Sequence, residues 1–372
     1  MTVPPTSTTP EQVQNIQTLL DGPAGKPPEG VVPSFPALSN LYEISITTIL
    51  LGIVITTLLI FIRLYTKLHL IRSKAYEDYV VVLAWLCHVG YTVPCIFCAR
   101  NGGFPIWDIQ LKRYFALLYW VNITTILYGG VVFLIKLSIL LQYLRIFVPN
   151  RKANMPLFVA IQIVIWTNFI FYFTDFIFET TACTPREKIW NRLITTGHCR
   201  NTHAMYMASG IFNVLSDFAI LILPIVPIWK LQLPFKKKIL MIATFSTGLW
   251  ACVTSILRTY YTWKIVKSPE VSYNFAIMGY WTIAEITTGI VVSCLPVMPK
   301  FFHHYTSKFY HSRKPYSRLQ FVQKREFLDI ENGGWLNGGT SSLKSGNDSN
   351  IQLHEDKGKN VTLGEFFRPP SR

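Results

Sequence analysis

Seven long apolar stretches, each bounded by charged or turn-forming residues, divide the chain. The first is ISITTILLGIVITTLLIFI at 44–62; the others cover 79–99, Phe115 to Arg145, 153–174, 204–229, 239–257 and 273–299. A helix that crosses a bilayer needs about 20 predominantly apolar residues, and these stretches have that length. They are continuously apolar and lack a period of two, which excludes the strands of a transmembrane barrel. The pattern predicts an all-α membrane protein built as a seven-transmembrane helix bundle.

Composition strengthens this reading. Charged residues make up 15% of the chain, against about 25% in soluble domains, and the mean hydropathy is positive. The net charge of +15 is unevenly spread. Arg63, Lys67, Arg72 and Lys74 follow the first stretch, Arg145, Arg151 and Lys152 the third, and Lys230 with Lys236, Lys237 and Lys238 the fifth. The alternate loops hold fewer cations per residue and include Asp108, Glu179, Glu187 and Glu270. Basic loops stay in the cytosol, so the expected topology has the N-terminus outside and the C-terminus in the cytosol. The basic face then meets anionic lipid rather than nucleic acid. The plasma membrane is the expected location.

Three regions follow. Residues 1–40, rich in Pro, Thr and Ser and without a secretory apolar core, read as an extracellular disordered tail, with the first helix serving as its own signal anchor. Residues 41–305 form the helical domain. Residues 306–372 read as a cytosolic tail, basic at first; from 331 onward, ENGGWLNGGTSSLKSGNDSN is too polar and glycine-rich to pack.

Ionisable groups inside a bilayer are costly, and they mark a function or a structural pair. His88, Lys136, Asp217, Arg258 and Glu285 interrupt the stretches. At 1.5 Å per residue, Lys136 lies roughly 13 Å above Arg145, and Asp217 about 18 Å above Trp229. That depth match predicts a Lys136–Asp217 ion pair. Asn213 and Asp217, four residues apart, share one helix face. Asp217, Arg258 and Glu285 could instead line a ligand cavity, with Tyr260 and Trp281 among its aromatic walls. No metal site is expected, because seven of the eight histidines lie in loops or tails and only His88 is left inside.

Cys87, Cys95, Cys98, Cys252 and Cys294 fall inside the apolar stretches and read as small apolar residues. Cys183 and Cys199 share the loop placed outside, where oxidising conditions favour a disulfide closing that loop.

Taken together, the motifs resemble the fungal rhodopsin-domain family, heptahelical membrane proteins that include PTH11-type receptor-like proteins and SAT4-like proteins. The resemblance covers about 41–305. It rests on RLY at 63–65, KLSILLQYLRIF at 136–147, the two spaced cysteines with Trp190 between them, and NVLSDFAILILPIVPIWKLQLPFKKK at 213–238. Gly248 with Arg258, WTIAE at 281–285 and CLP at 294–296 complete it. The acidic pair and tryptophan usual before helix two read Glu77, Asp78 and Tyr79 here. Helix seven has no lysine between Val271 and Pro299, so no retinal Schiff base, and no cofactor, is expected. The resemblance implies a receptor-like protein that senses a small molecule or surface cue and signals through basic cytosolic loops, with a G protein as one possible partner. A second class stays open: a membrane-embedded cyclase or isomerase, or an accessory protein, of a secondary-metabolite pathway, with Asp217 and Glu285 as acid and base. A transporter is disfavoured by the lack of internal repeats.

Overall fold

The structure, a computed structural model, describes residues 10–36, 38–72, 75–148, 154–225, 235–268 and 270–313. The chain divides into a compact unit, Met1–Tyr310, and a second, His311–Arg372; the fold is that of the first. The polar segment from 331 onward lies outside the described residues.

Nine helices occur among the described residues: α1 (Pro10–Asp21), α2 (Tyr42–Tyr65), α3 (Tyr76–Asn101), α4 (Leu111–Phe147), α5 (Met155–Thr180), α6 (Thr202–Ile222), α7 (Phe235–Lys267), α8 (Val271–Cys294) and α9 (Met298–Arg313). A π-helical turn, Thr66–Ile71, extends α2. Six segments are long and apolar enough to cross a membrane: α2 with its π turn, α3, α4, α5, α6, and the run from α8 into α9, Val271–Thr306. The sequence pattern predicts seven spans. The stretch at 239–257 lies within α7, which is not among the six.

α2 shows why these helices suit lipid. Its buried residues are Ser45, Ile49, Gly52, Thr56, Ile60 and Arg63, at helical spacing and mostly small or polar. Leu50, Leu51, Val54, Leu58 and Phe61 face outward. In water this arrangement would be inverted; in a bilayer, small residues belong at helix contacts and large apolar ones at the lipid. At Gly52 a Cβ would stand 2.9 Å from Thr287 Oγ1, so the glycine lets α2 and α8 approach closely.

The helices form a ring in which α2 packs on α3 and α8, α5 lies between α4 and α6, and α6 packs on α7, which packs on α8. α4 also touches α8 across the ring, so it runs through the centre. Val131, Ile135, Ile139 and Leu140 of α4 join Val81, Ile161, Ile286 and Ile290 in one buried core.

Both ends are tied. At one, here the basic end, Arg63 pairs with Asp78 at 2.8 Å, and Lys67 with Glu77 at 3.2 Å and Asp78 at 3.1 Å. Arg145 pairs with Glu77, and Arg63 and Gln142 both donate to the Ser293 carbonyl. Four elements thus share one ion cluster.

At the other, the disulfide end, strands β1 (Cys183–Thr184) and β2 (His198–Cys199) pair antiparallel, and Cys183 is bonded to Cys199. Gly197 turns the chain into β2 at φ +77°, where a Cβ would collide with the Thr184 carbonyl at 2.0 Å. The N-terminal segment differs from the disordered tail expected of 1–40. Residues 10–21 are helical, and the chain after them is strapped to the α3–α4 loop. The Ala24 amide donates to the Ile109 carbonyl at 2.8 Å, the Leu111 amide to the Gly22 carbonyl at 3.0 Å, and Lys112 pairs with Asp21. These long-range bonds hold a segment whose composition alone would leave it unfolded.

Candidate ligand cavities and the ion network between them

Nine side chains on five helices form one buried polar network at mid-height. Lys136 of α4, 4% exposed, lies 2.9 Å from Asp217 Oδ1. Its ammonium also donates to Asn213 Oδ1 at 2.8 Å, the Asn213 carbonyl at 3.1 Å and Ser216 Oγ. Ser255 of α7 donates to the other Asp217 oxygen at 2.5 Å. Asn213 is the hub. Its Oδ1 also accepts from Tyr172 at 2.7 Å, and its Nδ2 donates to Glu285 Oε1 at 2.6 Å. Tyr128 donates to the same Glu285 oxygen at 2.9 Å, and Arg258 Nε to Glu285 Oε2 at 2.9 Å. The Arg258 guanidinium sits over the Tyr128 ring, 4.7 Å from its centroid. Two opposite-charge pairs with added hydrogen bonds give these ions the partners that burial demands.

The network lies between two cavities. The basic-end cavity, about 410 Å³, is lined by Lys136, Asp217 and Glu285 with Ile139, Tyr143, Gly248 and Gly289. The disulfide-end cavity, about 510 Å³, is lined by Arg258, Tyr128, Asn122, Glu179 and Tyr206 and reaches Cys183 and Cys199. Both volumes fall in the range of small-molecule sites, about 300–1,000 Å³.

Of the residues singled out in the sequence, Lys136, Asp217, Arg258 and Glu285 come together here. Tyr260 does not: it is 50% exposed, edge-on to Tyr261. Trp281 is half-buried on α8 and lines neither cavity. His88 is fully buried, with no hydrogen-bond partner on either ring nitrogen among the described residues. Sequence reasoning missed Asp175 and Glu179. It ended the fourth stretch at 174 and assigned Glu179 to a loop, whereas α5 continues to Thr180 with both carboxyls buried. The signal was present: Asn168, Tyr172, Asp175 and Glu179 recur at spacings of four, three and four, one inward helix face.

Comparison with known proteins places these residues in a wider group. The fungal rhodopsin domain matches residues 62–304. The chain is 29% identical over 290 residues to fugralins biosynthesis cluster protein 2 of Gibberella zeae, covering 76% of this chain and 71% of that one. It is 35% identical over 199 residues to a SAT4 family membrane protein of Emericella nidulans, covering 54% of this chain and about half (49%) of that relative. It is 22% identical over 320 residues to receptor GIN3 of Arthrobotrys oligospora, covering 81% and 73%. No solved structure matches.

Proposed function

The chain belongs to the fungal rhodopsin domain family, and from that premise we propose that it is a receptor-like seven-helix membrane protein. A small molecule enters the disulfide-end cavity from outside the cell. The ion network relays its presence to the basic-end cavity, which faces the cytosol. α7 supplies the seventh span. Its Ile242, Phe245, Leu249, Val253 and Ile256 face outward, while Cys252, Thr254, Ser255 and Arg258 are buried, the same inverted pattern as α2. The basic end lies against anionic lipid at the plasma membrane and receives a cytosolic signalling partner, a G protein being one candidate. No cofactor is assigned.

One observation carries this reading: a single network of buried ions lines both cavities. Arg258 and Tyr128 line one, Lys136 and Asp217 the other, and Glu285 joins them. A ligand that draws on Arg258 therefore competes with Glu285, and the partners of Glu285 extend to Asn213 and Lys136. The relation of one relative to a receptor agrees with it.

The second reading, a pathway enzyme or accessory protein, is favoured by relatives named for biosynthesis clusters. Against acid–base chemistry, both oxygens of Asp217 and of Glu285 are already engaged by donors or cations, so a substrate proton would compete with those partners.

The test compares host cells carrying the wild-type chain with cells carrying Glu285→Gln at equal membrane abundance. A receptor predicts that the variant loses a transcriptional response to spent culture medium while no biosynthetic precursor accumulates. Accumulation of one precursor, which purified wild-type protein converts and Glu285→Gln does not, would replace the receptor with the enzyme.

A further inference from the structure

The disulfide-end cavity contains three polar atoms that the fold leaves without a hydrogen-bond partner among the described residues: Asn122 Nδ2, Glu179 Oε2 and Arg258 Nη2. Their residues are 4%, 2% and 7% exposed, and all three line the cavity. Buried polar atoms are nearly always paired, and each orphan is costly. Three at one cavity, beside a network in which Lys136, Asp217 and Glu285 each have charged and hydrogen-bonded partners, are the imprint of something that completes them.

Two are donors and one is an acceptor. A hydrocarbon would satisfy none of them. A simple amine would suit Glu179 but would meet Arg258 within and Lys188 and Arg192 elsewhere on the lining. An inorganic anion would suit Arg258 and Asn122 but would stand with Glu179. Leu118, Val121, Ile265, Val266 and Phe275 make much of the remaining wall apolar.

We propose that this cavity takes a mostly apolar small molecule of the hydroxy-acid or hydroxy-ketone class. Its carbonyl or carboxylate oxygen accepts from Arg258 and Asn122, and its hydroxyl donates to Glu179. This deepens the receptor reading and rests on it for the role of the cavity, though not for the chemistry of its wall.

The experiment uses the full chain in lipid nanodiscs and three probes of equal carbon number: 3-hydroxydecanoic acid, decanoic acid and decylamine. Binding is followed by native mass spectrometry and melting temperature is measured in parallel. The hydroxy acid is expected to bind at least about tenfold more tightly than either other probe, the value of one completed buried hydrogen bond. Glu179→Met should remove most of the preference over decanoic acid, and Asn122→Leu should weaken both acids together and so narrow their advantage over decylamine. In the ligand-free protein both should leave the melting temperature unchanged or raised, because each deletes a buried group that lacks a partner. Equal binding of the three probes, or a preference that survives both variants, overturns the proposal. So does a fall in the ligand-free melting temperature of both variants, since the groups would then be satisfied in the empty protein. The hydroxy-acid preference without a transcriptional response removes the receptor and keeps the ligand chemistry; the response without the preference does the reverse.

Discussion

Lys136 sets the residue scale of the problem. Its ammonium is buried against Asp217, Asn213 and Ser216, and removing one partner of a buried pair costs about 3–5 kcal/mol because the other charge is stranded. Asp217 is the only carboxylate in contact with it among the described residues, while Asn213 and Ser216 supply neutral acceptors. Lys136→Met and Asp217→Asn should therefore each lower thermal stability in detergent by an amount in that range. The double variant should recover half or more of the combined loss, since no orphan charge remains. Additive losses would show that the pair carries no coupling. This contact was legible from the sequence because depth follows from a fixed rise of about 1.5 Å per residue, and a charge deep in lipid needs an opposite one. Tyr128 and Tyr172 were not. Their roles depend on which helices touch across the ring, and spacing along one chain says nothing of that. Asp175 and Glu179 were legible in principle, through their helical spacing with Tyr172, but were hidden by ending the apolar stretch too early.

At the scale of the element, the glycines of α4 and α8 separate two kinds of position. On Gly289 a Cβ would stand 2.7 Å from Ile135 Cγ2, where α8 crosses α4; around Gly130 nothing lies within 4 Å. Gly289→Val overpacks that crossing and should cost about 1–3 kcal/mol. Gly130→Ala adds only helix propensity on an exposed face and should stabilise by about 0.5–1 kcal/mol. Melting curves of the two purified variants check both signs, and a neutral Gly289→Val would mean the crossing is looser than the structure gives. Helix existence was readable from apolar runs throughout the bundle, and helix ends less so, as α5 shows. α1 was missed for a different reason. Its dozen residues are too few for a stable isolated helix, and what organises the segment is its bonding to residues 109–112, almost ninety positions away.

For the whole molecule, the ends of the helices can be sorted without hydropathy. Residues 22–24 bond to 109–111, the Gly103 amide donates to Ser272 Oγ at 3.2 Å, and Cys183, Cys199 and Val271 line one cavity. The N-terminal strap, the α3–α4 loop, the disulfide loop and the α7–α8 junction therefore share one end. Between successive points at that end the chain must go out and return, so each interval holds an even number of crossings. The interval from Cys199 to Val271 holds only α6 and α7 among its described helices. If α6 crosses, α7 crosses back, and the total becomes seven although α7 is the least apolar of the set. For the proposed topology, positive charge gives the direction: Arg63, Lys67 and Arg145 gather at the opposite end, and basic residues favour the cytosol. Leu193, 45% exposed in the disulfide loop, and Lys300, exposed near the start of α9, sample the two sides. A membrane-impermeant maleimide applied to intact cells should label Leu193→Cys, and should label Lys300→Cys only after permeabilisation. The wild-type chain serves as the background, since its free cysteines all lie within helices. Labelling of both variants from outside would require an even number of crossings between them and would overturn the seven-crossing topology. The reversed pattern would keep all seven crossings and invert the protein, placing the three orphaned polar atoms where only a cytosolic ligand could reach them.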